Sequence, residues 1–144
     1  MITHKQFPNH KVYEMEIGGR PFTVITGQVA ELCNGECICR YGDTVVLTTV
    51  VASSAPKSGI DYFPLTIEVE ERMYAVGRIP GGYLKREARP SEKATLTARM
   101  IDRPLRPSFP AGFRNEVQVV ATTLVADQVN PVDTICIMAA SAAL

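Results

Sequence analysis

Apolar and polar residues alternate from Lys11 to Ile17, break at Gly18-Gly19 and resume from Pro21 to Ile25. A period of two interrupted by paired glycines predicts a β-hairpin. Gly27 to Cys39 reads as further strand. Within it, Asn34-Gly35 fits either a hairpin turn or a bulge inside a strand. Tyr41-Gly42-Asp43 is a stronger turn signal. It introduces TVVLTTVVA, Thr44 to Ala52, a β-branched run long enough for a central strand. Ser53 to Asp61 is polar, holds Pro56 and Gly59, and reads as a loop. Leu65, Ile67 and Val69 alternate with Thr66, Glu68 and Glu70, the pattern of a half-buried strand. Val117 to Val125 is another β-branched strand.

Two segments change the period. Pro90 and Ser91 suit a helix start, and Glu92 sits well against its positive end. Ala94, Ala98 and Ile101, with Leu96 and Met100, then give an apolar face at helical spacing. Pro104 disfavours helical geometry at Arg103, so the helix is expected to stop near there. A second helix is expected with Asn130 as N-cap, Pro131 as its first residue and Asp133 in its first turn. It runs to Leu144 with no glycine, proline or cap, which predicts a chain that ends inside its fold. Together the elements predict an α/β fold of the α+β type, a mixed β-sheet with helices packed on it.

At 144 residues the chain is one domain or part of one. Met1 to Lys11 is polar and lacks the apolar core of a signal peptide. No run approaches the ~18 apolar residues of a membrane span. A soluble, cytoplasmic protein without a membrane partner is the expectation. Cys33, Cys37 and Cys39 are spaced C-x3-C-x-C, unlike the paired C-x-x-C of a zinc site, and no histidine follows at ligand spacing. Cys37 and Cys39 alternate with Ile38 and read as small buried hydrophobes.

Formal net charge is zero, but the charges are unevenly placed. Arg78, Lys85, Arg86, Arg89, Lys93, Arg99, Arg103 and Arg106 face only Glu87, Glu92 and Asp102 in the same window. Such asymmetry points to a polyanion, with a solvated helix face as the plainer alternative. Arg99 and Arg103, at i and i+4, share one face of the expected helix. Arg89 immediately precedes that helix, and Lys85 and Arg86 lie on the glycine-flanked loop leading in. Loop and helix would thus line one groove with two layers of cations. Arginine matches phosphate oxygens with two parallel donors, lysine adds a point charge, and Tyr83 offers a ring on which a base can stack. Set against this, Arg103 can pair with Asp102 or an acid from Glu68 to Glu71, and Tyr83 can be core. The combination favours single-stranded nucleic acid. No nucleophile elbow, zincin helix or Walker loop is present. Asp61, Glu68, Glu70 and Glu71 could hold Mg²⁺, but a solvated strand face explains them better, because hard cations need converging ligands.

The stretch FPLTIEVEERMYAVGRIPGGYLKREARPSEKATLTARMIDRPLRPSFPAGFRNEVQV, with YGDTVVLTTVV before it and QVNPVDTICIMAASAAL after, resembles the first core domain of the bacterial polynucleotide phosphorylases. The resemblance runs from about Lys11 to Leu144. RPSEKATLTARMIDRPLRP is its most specific part within the wider ribonuclease PH family. The resemblance implies a ribonuclease PH-like core and a phosphorolytic 3′-to-5′ exoribonuclease. In that reaction inorganic phosphate releases nucleoside diphosphates from RNA, reversibly, with Mg²⁺ or Mn²⁺. It implies a homotrimeric ring threaded by single-stranded RNA, a role in mRNA degradation and association with RNA-degradation complex proteins. Residues 1–144 would be the front of the first core domain, with the catalytic acid and metal ligands elsewhere and this segment inactive alone. The family's two aromatics and two arginines that grip RNA fall on Tyr83, Leu84, Lys85 and Arg86. Leu84 cannot stack and Lys85 cannot bind bidentately, so the grip would lean on Tyr83 and Arg86, with Arg89 beside them. Arg99 and Arg103 match arginines that help hold substrate phosphates. Gly35 matches a glycine inside a strand, and the clustered cysteines match core positions. A non-catalytic RNA-binding ring subunit of the same superfamily is the alternative.

Overall fold

The structure is a computed structural model that describes residues 7–83, 87 and 89–144. Six strands form one mixed sheet: β1 (Lys11–Ile17), β2 (Arg20–Thr26), β3 (Gly35–Tyr41), β4 (Thr44–Pro56), β5 (Leu65–Glu70) and β6 (Asn115–Val125). Their spatial order is β1-β2-β3-β4-β6-β5. The first four form an antiparallel meander, β6 pairs antiparallel with β4, and β5 lies parallel to β6. A parallel pair needs a crossover, and here it carries helix α1 (Glu92–Leu105). Helix α2 (Val132–Ala143) follows β6 and packs on β3 and β4, while α1 packs on β5.

Local chemistry explains the strands. Gly18 and Gly19 both adopt positive φ, 59° and 76°, the geometry a two-residue turn needs to match strand twist. The alternation in β2 to β6 then sends one set of side chains under the helices, while β1 is exposed along its whole length. Val24, Cys37, Cys39, Val46, Val50, Val117, Val119 and Ala121 are buried there with Ile101 of α1 and Ile135, Cys136, Ala139 and Ala140 of α2. Gly35 begins β3, so Asn34-Gly35 is neither hairpin turn nor bulge. A Cβ at Gly35 would fall on the carbonyl oxygen of Ala143, and only glycine admits the last turn of α2 this close to the strand.

Several boundaries differ from expectation. Residues 27–34 are loop rather than strand. β4 runs on through Ser53 to Pro56, within the expected loop, because Pro56 pairs with Asn115 beyond an irregularity after Ala52. Helix α1 passes Pro104 and ends at Leu105. Proline costs one backbone hydrogen bond in the last turn. The Arg106 N–H still donates to the Asp102 carbonyl, and a short 3₁₀ turn, Arg106–Ser108, completes the exit. Leu96 and Met100 are not on the buried face of α1; they are 62% and 47% exposed, while Thr97 and Leu105 turn inward. The N-cap of α2 is Pro131 rather than Asn130. Asn130 is buried, and its side chain bonds Arg20 and Asp127 instead. Asp127 accepts N–H groups from Asn130 and Val129, both at 2.8 Å, which holds its carboxyl far below the usual carboxylate range.

Cys37, Cys39 and Cys136 are buried and free, as core packing requires, whereas Cys33 is only half-buried. Contact with the Cys39 sulfur at 3.8 Å, and burial, push the Cys37 thiol well above its ordinary value. Burial pushes Cys136 up to about 12. Alkylation needs access to the sulfur, and Cys37, Cys39 and Cys136 are buried, so native-state alkylation at neutral pH should mark Cys33 first among the four. Peptide mass spectrometry after brief iodoacetamide treatment checks this; comparable labelling of Cys37 would mean that α2 does not seal the sheet.

Candidate nucleic-acid interface

Helix α1 is the rigid element of the site. Ser91 caps it, its hydroxyl accepting the Ala94 N–H at 3.0 Å, and Glu92 occupies the first turn. Ala94, Thr97, Ile101 and Leu105 face the sheet. Arg99 and Arg103 therefore point outward, exposed and one turn apart. Among the described residues neither makes a side-chain hydrogen bond or an ion pair. The nearby acids are occupied elsewhere. Asp102 is held by Arg106 at 2.7 Å, Glu70 by Arg72 at 2.6 Å, and Glu71 accepts the Ser91 hydroxyl at 2.5 Å. The expected rival pairings of Arg103 with Asp102 or the β5 acids are thus not made.

An open cleft of about 1280 Å³ lies at the carboxyl ends of β5 and β6, beside the N-termini of both helices. Arg78, Arg89 and Lys93 line it, with Ser91 and Asn130. Arg89 thus stands in the cleft, whereas Arg99 and Arg103 are not among its lining residues. Four glutamates, Glu68, Glu70, Glu71 and Glu87, line the cleft beside its cations, whereas Arg99 and Arg103 stand on the outer face of α1. Tyr83 is 74% exposed and is not core. Leu84, Lys85 and Arg86 lie outside the described residues.

Glu87 closes the base of this region. It accepts the Met73 N–H at 2.5 Å and pairs with Arg72 at 3.4 Å, and Arg72 also binds Glu70. Charge counting by window missed Arg72, which lies outside the basic stretch; its position two residues after Glu70 was the available signal. The hydrogen bond it donates to Glu70, more than the one to Glu87, keeps its guanidinium firmly charged. Glu70 serves Arg72 and the Thr122 hydroxyl, Glu71 serves Ser91, and no cluster of three ligating side chains occurs among the described residues. No described helix is long and apolar enough to cross a membrane.

Solved structures identify the architecture. The chain superposes with a TM-score of 0.60 and 21% identity on a chain of the Archaeoglobus fulgidus exosome with RNA bound to the active site, covering 92% of this chain and 50% of that one. Rice Rrp46 gives 0.59 at 19% identity, over 87% and 55% of the two chains. At such identities the likeness is one of fold, a ribonuclease PH-like core. The sequence narrows the class: residues 18–144 match the profile of the 3′ exoribonuclease family, domain 1, and the chain belongs to that family. It is 59% identical over 134 residues to polyribonucleotide nucleotidyltransferase 1 of Alkaliphilus metalliredigens and 58% identical over 134 to the polyribonucleotide nucleotidyltransferase of Heliobacterium modesticaldum. Each match covers 93% of this chain and 19% of the relative, so the chain spans about a fifth of their length.

Proposed function

We propose that the protein containing this chain is a phosphorolytic 3′-to-5′ exoribonuclease, and that residues 1–144 are the front of its first core domain, an RNA-binding segment inactive alone. The observation that carries this reading is the family match over residues 18–144, joined to close polyribonucleotide nucleotidyltransferase relatives. Inorganic phosphate attacks the terminal phosphodiester and releases a nucleoside diphosphate. Mg²⁺ or Mn²⁺ is held by residues outside this chain. The protein works as a homotrimer in the cytoplasm, in mRNA degradation and in company with RNA-degradation proteins.

Within this chain, Arg99 and Arg103 contact substrate phosphates. Tyr83, Leu84, Lys85, Arg86 and Arg89 contact the RNA strand. Two outward guanidinium groups on a helix pinned by Ile101 place positive charge with little reorganisation, which is what phosphoryl transfer requires.

The test is product analysis on the full-length protein with poly(A) and Mg²⁺. ADP released only when phosphate is added supports phosphorolysis; salt-sensitive RNA binding without release makes the protein a binding subunit. Arg86→Ala should weaken RNA binding and flatten its salt dependence by about 0.7 in log–log slope, one phosphate's share for a single strand. Fluorescence anisotropy across a salt series reads both. An unchanged slope would remove Arg86 from the RNA contacts.

A further inference from the structure

Arg106 belongs by sequence to the basic stretch and invites counting as one more phosphate contact. Its geometry says otherwise. Nε donates to Asp102 Oδ2 at 3.0 Å, and Nη2 to Asp102 Oδ1 at 2.7 Å, a bidentate pair. Nη1 donates to the Phe63 carbonyl at 2.9 Å, and Nη2 also reaches the Leu65 carbonyl at 3.3 Å. Four of the five N–H donors of the guanidinium are thereby engaged. Its Cζ lies 5.7 Å from the centroid of the Phe63 ring, which packs against Phe109 and Phe113. The side chain is 43% exposed, but only one of its donors is left for a ligand.

The pin sits where α1 is weakest. Asp102 and Arg106 are i and i+4, and they bracket Arg103, Pro104 and Leu105. Pro104 removes the backbone N–H that would bond the carbonyl four residues earlier, so the last turn lacks one rung. Arg103 rides on that turn. The Arg106–Asp102 pair closes the turn on itself, and the two carbonyl contacts tie it to the entry of β5.

We infer that Arg106 and Asp102 are positioning residues: they fix the last turn of α1, and with it the direction in which Arg103 presents its guanidinium. The inference rests on the proposed contact between Arg103 and a substrate phosphate. Misplacing a positioned group by an ångström can cost up to about a hundredfold in rate, so a loosened turn should appear in turnover rather than in RNA affinity.

The experiment uses the full-length protein, with phosphate-dependent ADP release from poly(A) and RNA anisotropy as parallel readouts. Arg106→Gln and Asp102→Asn should each lower kcat about tenfold, within the range for a misplaced group. RNA affinity should stay within about twofold and its salt slope unchanged, since no phosphate contact is lost. The double variant should be little worse than either single one, because both cut the same pin. Arg106→Lys keeps the charge but not the fork, and should fall closer to Arg106→Gln than to the parent.

A direct phosphate contact predicts the opposite pattern. Asp102→Asn would free Arg106 and tighten RNA binding, Arg106→Lys would restore activity, and Arg106→Gln would flatten the salt slope. Any of these overturns the inference. Should Arg106→Gln fail to fold, Asp102→Asn and Arg106→Lys still decide it. Arg103→Ala, run alongside, separates the two claims. If it retains full turnover, the phosphate reading of Arg103 fails and the positioning role falls with it. If it loses turnover while Asp102→Asn and Arg106→Lys do not, only the positioning role is wrong.

Discussion

Arg103→Ala in the full-length protein is expected to lower phosphorolytic turnover by about 10²- to 10³-fold, the loss typical of removing one preorganised donor from a developing oxyanion. RNA affinity should fall much less. The difference follows from where the group sits. Arg103 projects from a helix whose inner face is locked by Ile101 and Leu105, so the backbone that carries its charge is already placed before substrate arrives. A cation that needs no reorganisation stabilises the transition state more than the ground state, and its loss falls on kcat. Arg99, one turn earlier on the same face, should show a loss of the same kind. Replacement by lysine should recover only part of it, because an ammonium cannot grip two phosphate oxygens at once. Arg86→Ala should shift binding instead. Single-turnover kinetics at saturating RNA, beside equilibrium binding, separates these outcomes. Full turnover in Arg103→Ala would mean that the outer face of α1 looks away from the chemistry.

Which parts of this arrangement can be read from sequence depends on how local their causes are. The Gly18-Gly19 hairpin, the β-branched core of β4, the alternation of β5 and the Ser91 cap are each determined within a few residues, and each is found in place. The i, i+4 spacing of Arg99 and Arg103 is equally local, and both residues stand on the solvent side of α1. What escaped was set by distant partners. Pro104 reads as a stop only until Arg106, Asp102 and the start of β5 are seen to hold the turn beyond it. Leu96 and Met100 read as core by hydropathy, yet the sheet lies on the side of Thr97 and Ile101. Asn130 has the chemistry of an N-cap, but Arg20 and Asp127 claim its side chain. The extra length of β4 depends on Asn115, far along the chain. In the candidate site, counting charges cannot separate Arg106, engaged by Asp102 and two carbonyls, from Arg99 and Arg103, left outward without such partners among the described residues. That distinction requires the coordinates of their acids.

Gly35→Ala should destabilise the fold by about 1–3 kcal/mol, the range for overpacking a filled site. The added methyl would land on the carbonyl oxygen of Ala143, with Val50 Cβ at 3.9 Å on the other side. Backbone on both elements limits relief: β3 is fixed by its ladder to β4, and α2 by Ile135, Cys136, Ala139 and Ala140 beneath it. The φ of Gly35 is not in the left-handed region, so the cost is one of space alone. That makes the sign informative. In an open position of allowed φ, glycine to alanine stabilises by about 0.4–1 kcal/mol through the unfolded chain. Gly82 is such a position, with nothing among the described residues within 4 Å of an added Cβ, and Gly82→Ala serves as the control. Calorimetry of the full-length protein should show the transition of this domain about 2–12 °C lower in Gly35→Ala, taking the usual ~2–4 °C per kcal/mol. Gly82→Ala should not lower it. A Gly35→Ala transition at or above that of the parent would mean that the last turn of α2 stands off the sheet. The same contact closes the roof over Cys37, whose Sγ lies 3.0 Å from the Ala139 carbonyl, so Gly35→Ala should also bring Cys37 within reach of alkylating reagent.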